Sequence, residues 1–302
     1  MKRKFIIALL LSSLAVFSFG CSKDKSSNAE SKINLLENVK ANISLSDTIT
    51  VDGSGVVVED NIIIIKEAGT YGVSGTLKDG QIVINAGDED NVELVLNGIN
   101  ITNSKSSAIY VANAKNTYLI LNDATENTVT DGSEYVFEDE AQDEPNAAIF
   151  SKDDLFIDGN GSLTVNGNYR DGIASNDDLK VLNGNINITA KEDGLRGKDS
   201  STITNGNITI NSGFDGIKAS NDTEADKGYV LIEGGIINIT SGQDGIQGET
   251  LVTINNGEIN INSGGGSANG SSESTESTES TEEISKKGIK AGVNIIVENG
   301  KV

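Results

Sequence analysis

The stretch "DGIASNDDLKVLNGNINITAKEDGLRGKDSSTITNGNITINSGFDGIKASND" (residues 171–222) repeats itself. An Asp-Gly pair opens at Asp171, again at Asp193 and again at Asp215, 22 residues apart each time. The first two units also share the second Asp (Asp177, Asp199), Asn183/Asn205, Gly184/Gly206, Asn185/Asn207, Ile186/Ile208 and Ile188/Ile210. The next interval, Asp215 to Asp244, is 29 residues, with about seven extra at "TEADKGY"; "DGIQGETLVTINNGEININSGG" (244–265) then returns to 22. Within each unit apolar residues alternate, and a period of two means strand. Three short strands fit a unit: "GIAS" or "GIKAS", "LKVL" or "YVLI", and "INIT" or "ITIN". None buries its apolar face alone, but coils stacked on coils line an interior with Ile, Val and Leu. A period in the twenties marks a solenoid. Leucine-rich repeats share the period but need a Leu consensus that is absent, so the expected fold is all-β, a single-stranded parallel β-helix with coils of roughly 22 residues.

The same texture runs upstream through "QIVINAG", "NVELVLNGINIT", "SAIYVANAKNTYLILND" and "DLFIDGNGSLTVNG". This places the β-helix over residues 47–302. Two stretches break the rhythm: an acidic insertion at 131–146, and a Gly/Ser/Thr/Glu-rich insertion at 264–283 that is expected to be disordered. After it, "KKGIKAGVNIIVENGKV" restarts a coil without completing it, so the domain is expected to continue past Val302.

Composition narrows the chemistry. With 23 Lys+Arg against 45 Asp+Glu, a net charge of −22 argues against nucleic acid and favours cations as partners. The chain has no His, which removes the usual general base, most zinc sites and every Ser-His-Asp triad. Its 34 Gly, against one Pro and no Trp, suit short strands and tight turns better than long helices. At the start, a basic "MKRK" and an apolar run from Phe5 to Phe19, too short to span a bilayer, read as a signal peptide over 1–20. The single cysteine, Cys21, follows in "FSFGC", which resembles a bacterial lipobox although Ser18 stands where Leu is commonest. A lipidated Cys21 with a polar tether over 21–46 places the protein on the cell surface, anchored to the membrane; a plain signal peptide is the alternative, and either exports it.

The segments "GTYGVSGTLKDGQIVINAG", "VELVLNGINIT", "AAIFSKDDLFIDGNGSLTVNG", "EDGLRGKDSSTITNGNITINSGFDGIKASND" and "GQDGIQGETLVTINNGEININSGGGS" together resemble the bacterial carbohydrate-binding domain family typified by a clostridial cell-surface protein. The resemblance runs in register over residues 47–302. It implies a right-handed parallel β-helix with bound calcium, similar to a family of calcium-dependent pectate lyases. It also implies non-catalytic binding of plant polysaccharide, acidic pectic glycan above all, with cellulosic glycan as the alternative partner. Members often carry His after "DGI"; here the corresponding residues are Ala174, Arg196, Lys218 and Gln247, which leaves the ligand open.

Coils about 4.8 Å apart would stack Asp171, Asp193, Asp215 and Asp244 in one column. Unpartnered carboxylates at that spacing repel, and a calcium ion would resolve the repulsion with carboxylates of adjacent coils and turn carbonyls. The competing reading is ordinary turn chemistry, with Asp bonding its own backbone and Gly supplying positive φ. Asp177 and Asp199 form a second column that lines further calcium sites or caps turns. Two residues past each Gly, Arg196, Lys218, Gln247 and Lys290 would face outward beside the Asp row and attract uronate carboxylates, or else merely offset the Asp charges. Tyr169 and Phe214 are the candidate aromatic platforms. Lyase activity, with Arg196, Lys198 or Lys218 as base, and a purely structural or adhesin role are the alternatives.

Overall fold

Three ladders of short parallel strands form the three sides of a stacked coil. A computed structural model describes residues 36–137, 139, 141–266 and 285–302, which fall in one compact unit, Leu35–Val302. The signal segment, Cys21, most of the tether and nearly all of the 264–283 insertion lie outside the described residues.

The first ladder stacks Gln81–Asn85, Ile109–Asn113, Ala147–Ser151, Asp171–Ser175, Leu195–Gly197, Ile217–Ala219, Ile246–Gly248 and Ile289–Ala291. The second carries Asn116–Leu121, Asp154–Gly159, Asp178–Val181, Ser200–Ile203, Tyr229–Ile232, Leu251–Ile254 and Asn294–Val297. The third carries Glu126–Thr130, Ser162–Gly167, Asn185–Ala190, Asn207–Ser212, Ile236–Ser241 and Glu258–Ser263. The three strands expected of each unit are these three sides. Register is one to one: Ile173 pairs with Leu195, Leu195 with Ile217, and Ile217 with Ile246.

That register explains the core. Ile82, Ile109, Ile149, Ile173, Leu195, Ile217 and Ile246 form one fully buried file along the first ladder. Leu163, Ile186, Ile208, Ile237 and Ile259 form another along the third. Like side chains stack on like, so each coil buries the apolar edge of its neighbour, a few kcal/mol per large side chain. Ser201 breaks the second ladder's file, yet its hydroxyl is satisfied: it donates to Lys218 O (2.5 Å) and accepts from Gly197 N–H (2.9 Å).

The glycines divide into two kinds. Gly184 and Gly206 follow Asn and have φ of 135° and 120°, as an Asn-Gly turn requires. The glycines of the Asp-Gly pairs are not at positive φ. A Cβ on Gly172, Gly194, Gly216 or Gly245 would instead collide with Cγ2 of Ile188, Ile210, Ile239 or Ile261. Their role is clearance between first-ladder backbone and third-ladder isoleucine.

Pairing starts earlier than residue 47. Ala41–Leu45, assigned above to the tether, is a strand, parallel to Gly69–Leu77 and antiparallel to Thr50–Gly53. With the antiparallel pair Val56–Glu59 and Ile62–Ile65, it covers the first coil's edge, where open N–H and C=O groups would otherwise invite another chain.

Candidate glycan-binding cleft

The Asp column exists as the spacing requires, but its charge is already met. Asp171, Asp193, Asp215 and Asp244 are buried, at 1–5% exposure. Each Oδ1 accepts a backbone N–H from the next coil. Asp193 N–H donates to Asp171 (3.1 Å), Asp215 N–H to Asp193 (2.9 Å), Asp244 N–H to Asp215 (2.9 Å) and Lys287 N–H to Asp244 (2.6 Å). Each Oδ2 faces a cation. Arg196 Nε lies 2.7 Å from Asp171, Lys218 Nζ 3.4 Å from Asp193 and 3.0 Å from Asp215, and Lys290 Nζ 3.5 Å from Asp244. The cations come from the outward column, where Arg196, Lys218, Gln247 and Lys290 stack in register.

Calcium wants about six to eight oxygens around one point. The first column offers isolated Oδ2 atoms on successive coils, each already beside an ammonium or guanidinium. Those of Asp215 and Asp244 are fully enclosed and lack an aligned hydrogen bond, but one oxygen per coil makes no cage. In the second column, Asp199 accepts Asn221 Nδ2 at 2.8 Å and pairs with Lys227 Nζ at 2.9 Å. Asp177 is exposed; desolvation and then the carboxylates of Asp199, Asp154 and Asp153 hold it above the usual carboxylate range. Among the described residues, no three acidic, His or Cys side chains converge as a metal site requires. Neither column fits calcium as it stands.

Burial and then repulsion from Asp171 push Asp193 up to about 7, against the pull of Lys218. Burial pulls the Lys218 ammonium down, but Asp193 and Asp215 outweigh it and hold it above the usual lysine value. Lys218 therefore stays protonated.

Over these columns opens a cleft of about 450 Å³. Arg170, Arg196, Lys198 and Lys218 line it, with Asp143, Glu144, Asn146, Asn176, Glu192 and Phe214. Arg170 Nε pairs with Glu192 at 2.8 Å, and Arg196 Nη2 donates to Asn146 Oδ1 at 2.9 Å. Apart from Arg3, these are the chain's only arginines, and both face one cleft. Phe214 is 40% exposed and so is a cleft residue rather than core. Lys198 is exposed, three residues past Leu195 at the end of its first-ladder strand.

The acidic insertion, a break in rhythm by sequence, builds one wall. Glu144 accepts from Asn176 Nδ2 at 2.9 and 3.0 Å, and Tyr135 stacks on Tyr169 with centroids 4.1 Å apart. Tyr169 is therefore a prop for the insertion and not a sugar platform in the cleft. Tyr135 Oη also donates to buried Asp131 at 2.7 Å, and burial raises that carboxyl to about 6. Gln247 is a second correction: it is buried, donates to Glu249 Oε1 at 2.7 Å, and does not line the cleft. Nothing in the periodicity could have shown the insertion's wall, because its described residues contribute no strand to any ladder.

The family model described as "Carbohydrate-binding domain-containing protein" matches residues 59–302. A protein of that description from Acetivibrio thermocellus is 43% identical over 146 residues, 48% of this chain and 51% of its own length, so the match spans about half of that relative. A solved structure, the polysaccharide lyase-like protein from C. thermocellum as a gadolinium derivative, aligns with a TM-score of 0.78 and 39% identity, covering 87% of this chain and all of that one. The stacked coils and the family match agree: the chain belongs to the carbohydrate-binding domain family.

Proposed function

We propose that the protein is a non-catalytic polysaccharide-binding protein of the cell surface, anchored by lipid at Cys21, whose cleft holds acidic, pectic-type glycan. The observation that carries this is the gathering of Arg170, Arg196, Lys198 and Lys218 in one cleft on a chain of net charge −22. Cations rising coil by coil at about 4.8 Å suit a polymer with repeated carboxylates. Arg is the side chain best shaped to take a carboxylate through paired N–H donors. Phe214 adds an apolar face for a sugar ring.

The non-catalytic reading rests on the same residues. A base for proton abstraction must be neutral at working pH. Lys218 is held protonated by two carboxylates, and Arg196 is pinned between Asp171 and Asn146. Arg170, Arg196 and Lys218 are each paired with a carboxylate, so exposed Lys198 and the outer edges of the two guanidinium groups are what a glycan carboxylate would meet.

Affinity electrophoresis tests the reading. Migration in gels containing polygalacturonate should be retarded, the retardation should weaken with salt, and Arg170→Ala with Lys198→Ala should abolish it. An unretarded wild-type chain would sink the proposal. Release of unsaturated products from polygalacturonate would overturn its non-catalytic part in favour of a lyase, with exposed Lys198 as the base to suspect.

A further inference from the structure

The described aromatic rings nearly all have a protein partner. Tyr71 is fully buried. Tyr110 packs on Phe150, Tyr118 stacks on Phe156, and Tyr135, Tyr169 and Phe137 cluster together. Outside the core, two described rings have no aromatic neighbour: Phe214, in the cleft, and Tyr229.

Tyr229 opens its second-ladder strand and points out, as the alternation of Tyr229–Ile232 dictates. Ser200 pairs with it from the coil before, and because Val230 pairs with Val252, Leu251 stands beside it in the coil after. Asn294 follows Leu251. The seven-residue insertion at "TEADKGY" forms the wall of this place and is braced from several sides. Asn221 Oδ1 accepts from the N–H groups of Thr223 and Glu224, Lys227 Nζ pairs with both Asp199 and Glu224, and Thr250 Oγ1 donates to Lys227 O at 2.6 Å. The result is a groove of about 290 Å³ lined by Asp226, Tyr229, Thr250, Leu251, Val293 and Asn294. The Asp226 carboxylate and the Asn294 amide are exposed and take no hydrogen bond from the described residues. Among the described residues, no cation lines the groove.

We infer that this groove is a second glycan-binding site, and that it takes an uncharged pyranose unit. The Tyr229 ring offers a flat apolar surface to the C–H face of a sugar. Asp226 and Asn294, a carboxylate acceptor and an amide with donors and an acceptor, are the complement of a pair of ring hydroxyls. A few convergent polar groups on an apolar floor is the usual composition of a small-molecule site. A uronate is disfavoured, since its carboxylate would meet Asp226 with no cation to offset the repulsion. The two sites differ in charge: the cleft at Phe214 offers Arg and Lys side chains among its carboxylates, whereas the groove at the braced insertion offers, among the described residues, Asp226 alone. The inference rests on the carbohydrate-binding reading of the fold but not on the acidic-glycan reading of the cleft.

Isothermal titration of the full chain with cellohexaose, xylohexaose, mannohexaose and a galacturonate hexamer tests it. At least one neutral hexasaccharide should bind the wild type. Tyr229→Ala should weaken that binding by about tenfold or more, as loss of an anchoring aromatic does. Tyr229→Phe should keep it, Asp226→Ala should weaken it, and the galacturonate hexamer should bind all three variants as it binds the wild type. Absence of binding to every neutral hexasaccharide, or undiminished binding by Tyr229→Ala, overturns the inference. If Tyr229→Ala lowers the melting temperature, unchanged neutral-sugar binding by Asp226→Ala overturns it instead. Neutral binding without galacturonate binding would sink the cleft proposal and leave this one standing.

Discussion

Arg196 Nε lies 2.7 Å from Asp171 Oδ2, with the two side chains 14% and 5% exposed, and the same guanidinium reaches across to Asn146. One residue of the outward column thus neutralises a carboxylate of the buried Asp column and lines the cleft beside the 131–146 insertion. Its two roles can be separated. Arg196→Met should cost about 2–4 kcal/mol of stability, because Asp171 is left buried without its partner. Arg196→Lys should keep most of that stability and still weaken polygalacturonate retardation, because an ammonium cannot hold Asp171 and Asn146 while presenting a fork to the ligand. Chemical denaturation and affinity electrophoresis on the same preparations would read the two effects.

Stability should fall as pH rises through neutrality. Asp193 moves from an ordinary value of 3.8 to about 7 on folding. Between those values the folded state holds a proton that the unfolded chain has lost, and rising pH removes the advantage. Asp131, raised to about 6 by burial, acts in the same sense. The melting temperature should be a few degrees higher near pH 5 than near pH 8, about 1–3 kcal/mol in stability. Asp193→Asn should flatten the profile, since the amide oxygen can still accept from Asp215 N–H. A profile that rises from pH 5 to 8 would contradict the assignment.

Chelation should leave the fold untouched. Arg196, Lys218 and Lys290 already face the Asp column, so excess EGTA is expected to shift the melting temperature by less than about 2 °C; loss of a bound ion at saturating concentration would move it further. Lys218→Met is the companion measurement. It removes the ammonium shared by Asp193 and Asp215, and should lower stability at pH 8 more than at pH 5, where Asp193 can take up a proton.

Gly194→Ala should be among the most destabilising single substitutions in the chain. Its new methyl would meet Ile210 Cγ2 and the carbonyl of Gly216, 2.6 Å away, so coil and coil must part. A loss of about 2–3 kcal/mol or more is expected from such overpacking. Gly98→Ala, where nothing lies within 4 Å, serves as the open control; its φ of 77° limits the cost to backbone strain, about 1–2 kcal/mol. Urea denaturation of both would show whether clearance or conformation governs the Asp-Gly glycines.

The solenoid, its three faces and its register were legible because each coil repeats the same spacing. Once Asp171 and Asp193 are aligned, Ile173 must meet Leu195 and Ala174 must meet Arg196, and both pairs form. The direction of the Asp side chains was not legible. Spacing puts carboxylates one above another but does not say whether their oxygens face a metal, a backbone N–H or a lysine.

By itself, the amino-acid order determined which residues share a column, because a period of 22 residues and a strand alternation of two are properties of the chain alone. Tertiary structure decided what each column does. Arg196, Lys218 and Lys290 fold back onto the Asp row, Tyr169 is taken up by Tyr135, and two insertions outside the repeat become walls of separate grooves. Those outcomes depend on which side chains from different coils reach one another first, and contact across coils is set by three-dimensional packing, which periodicity does not encode.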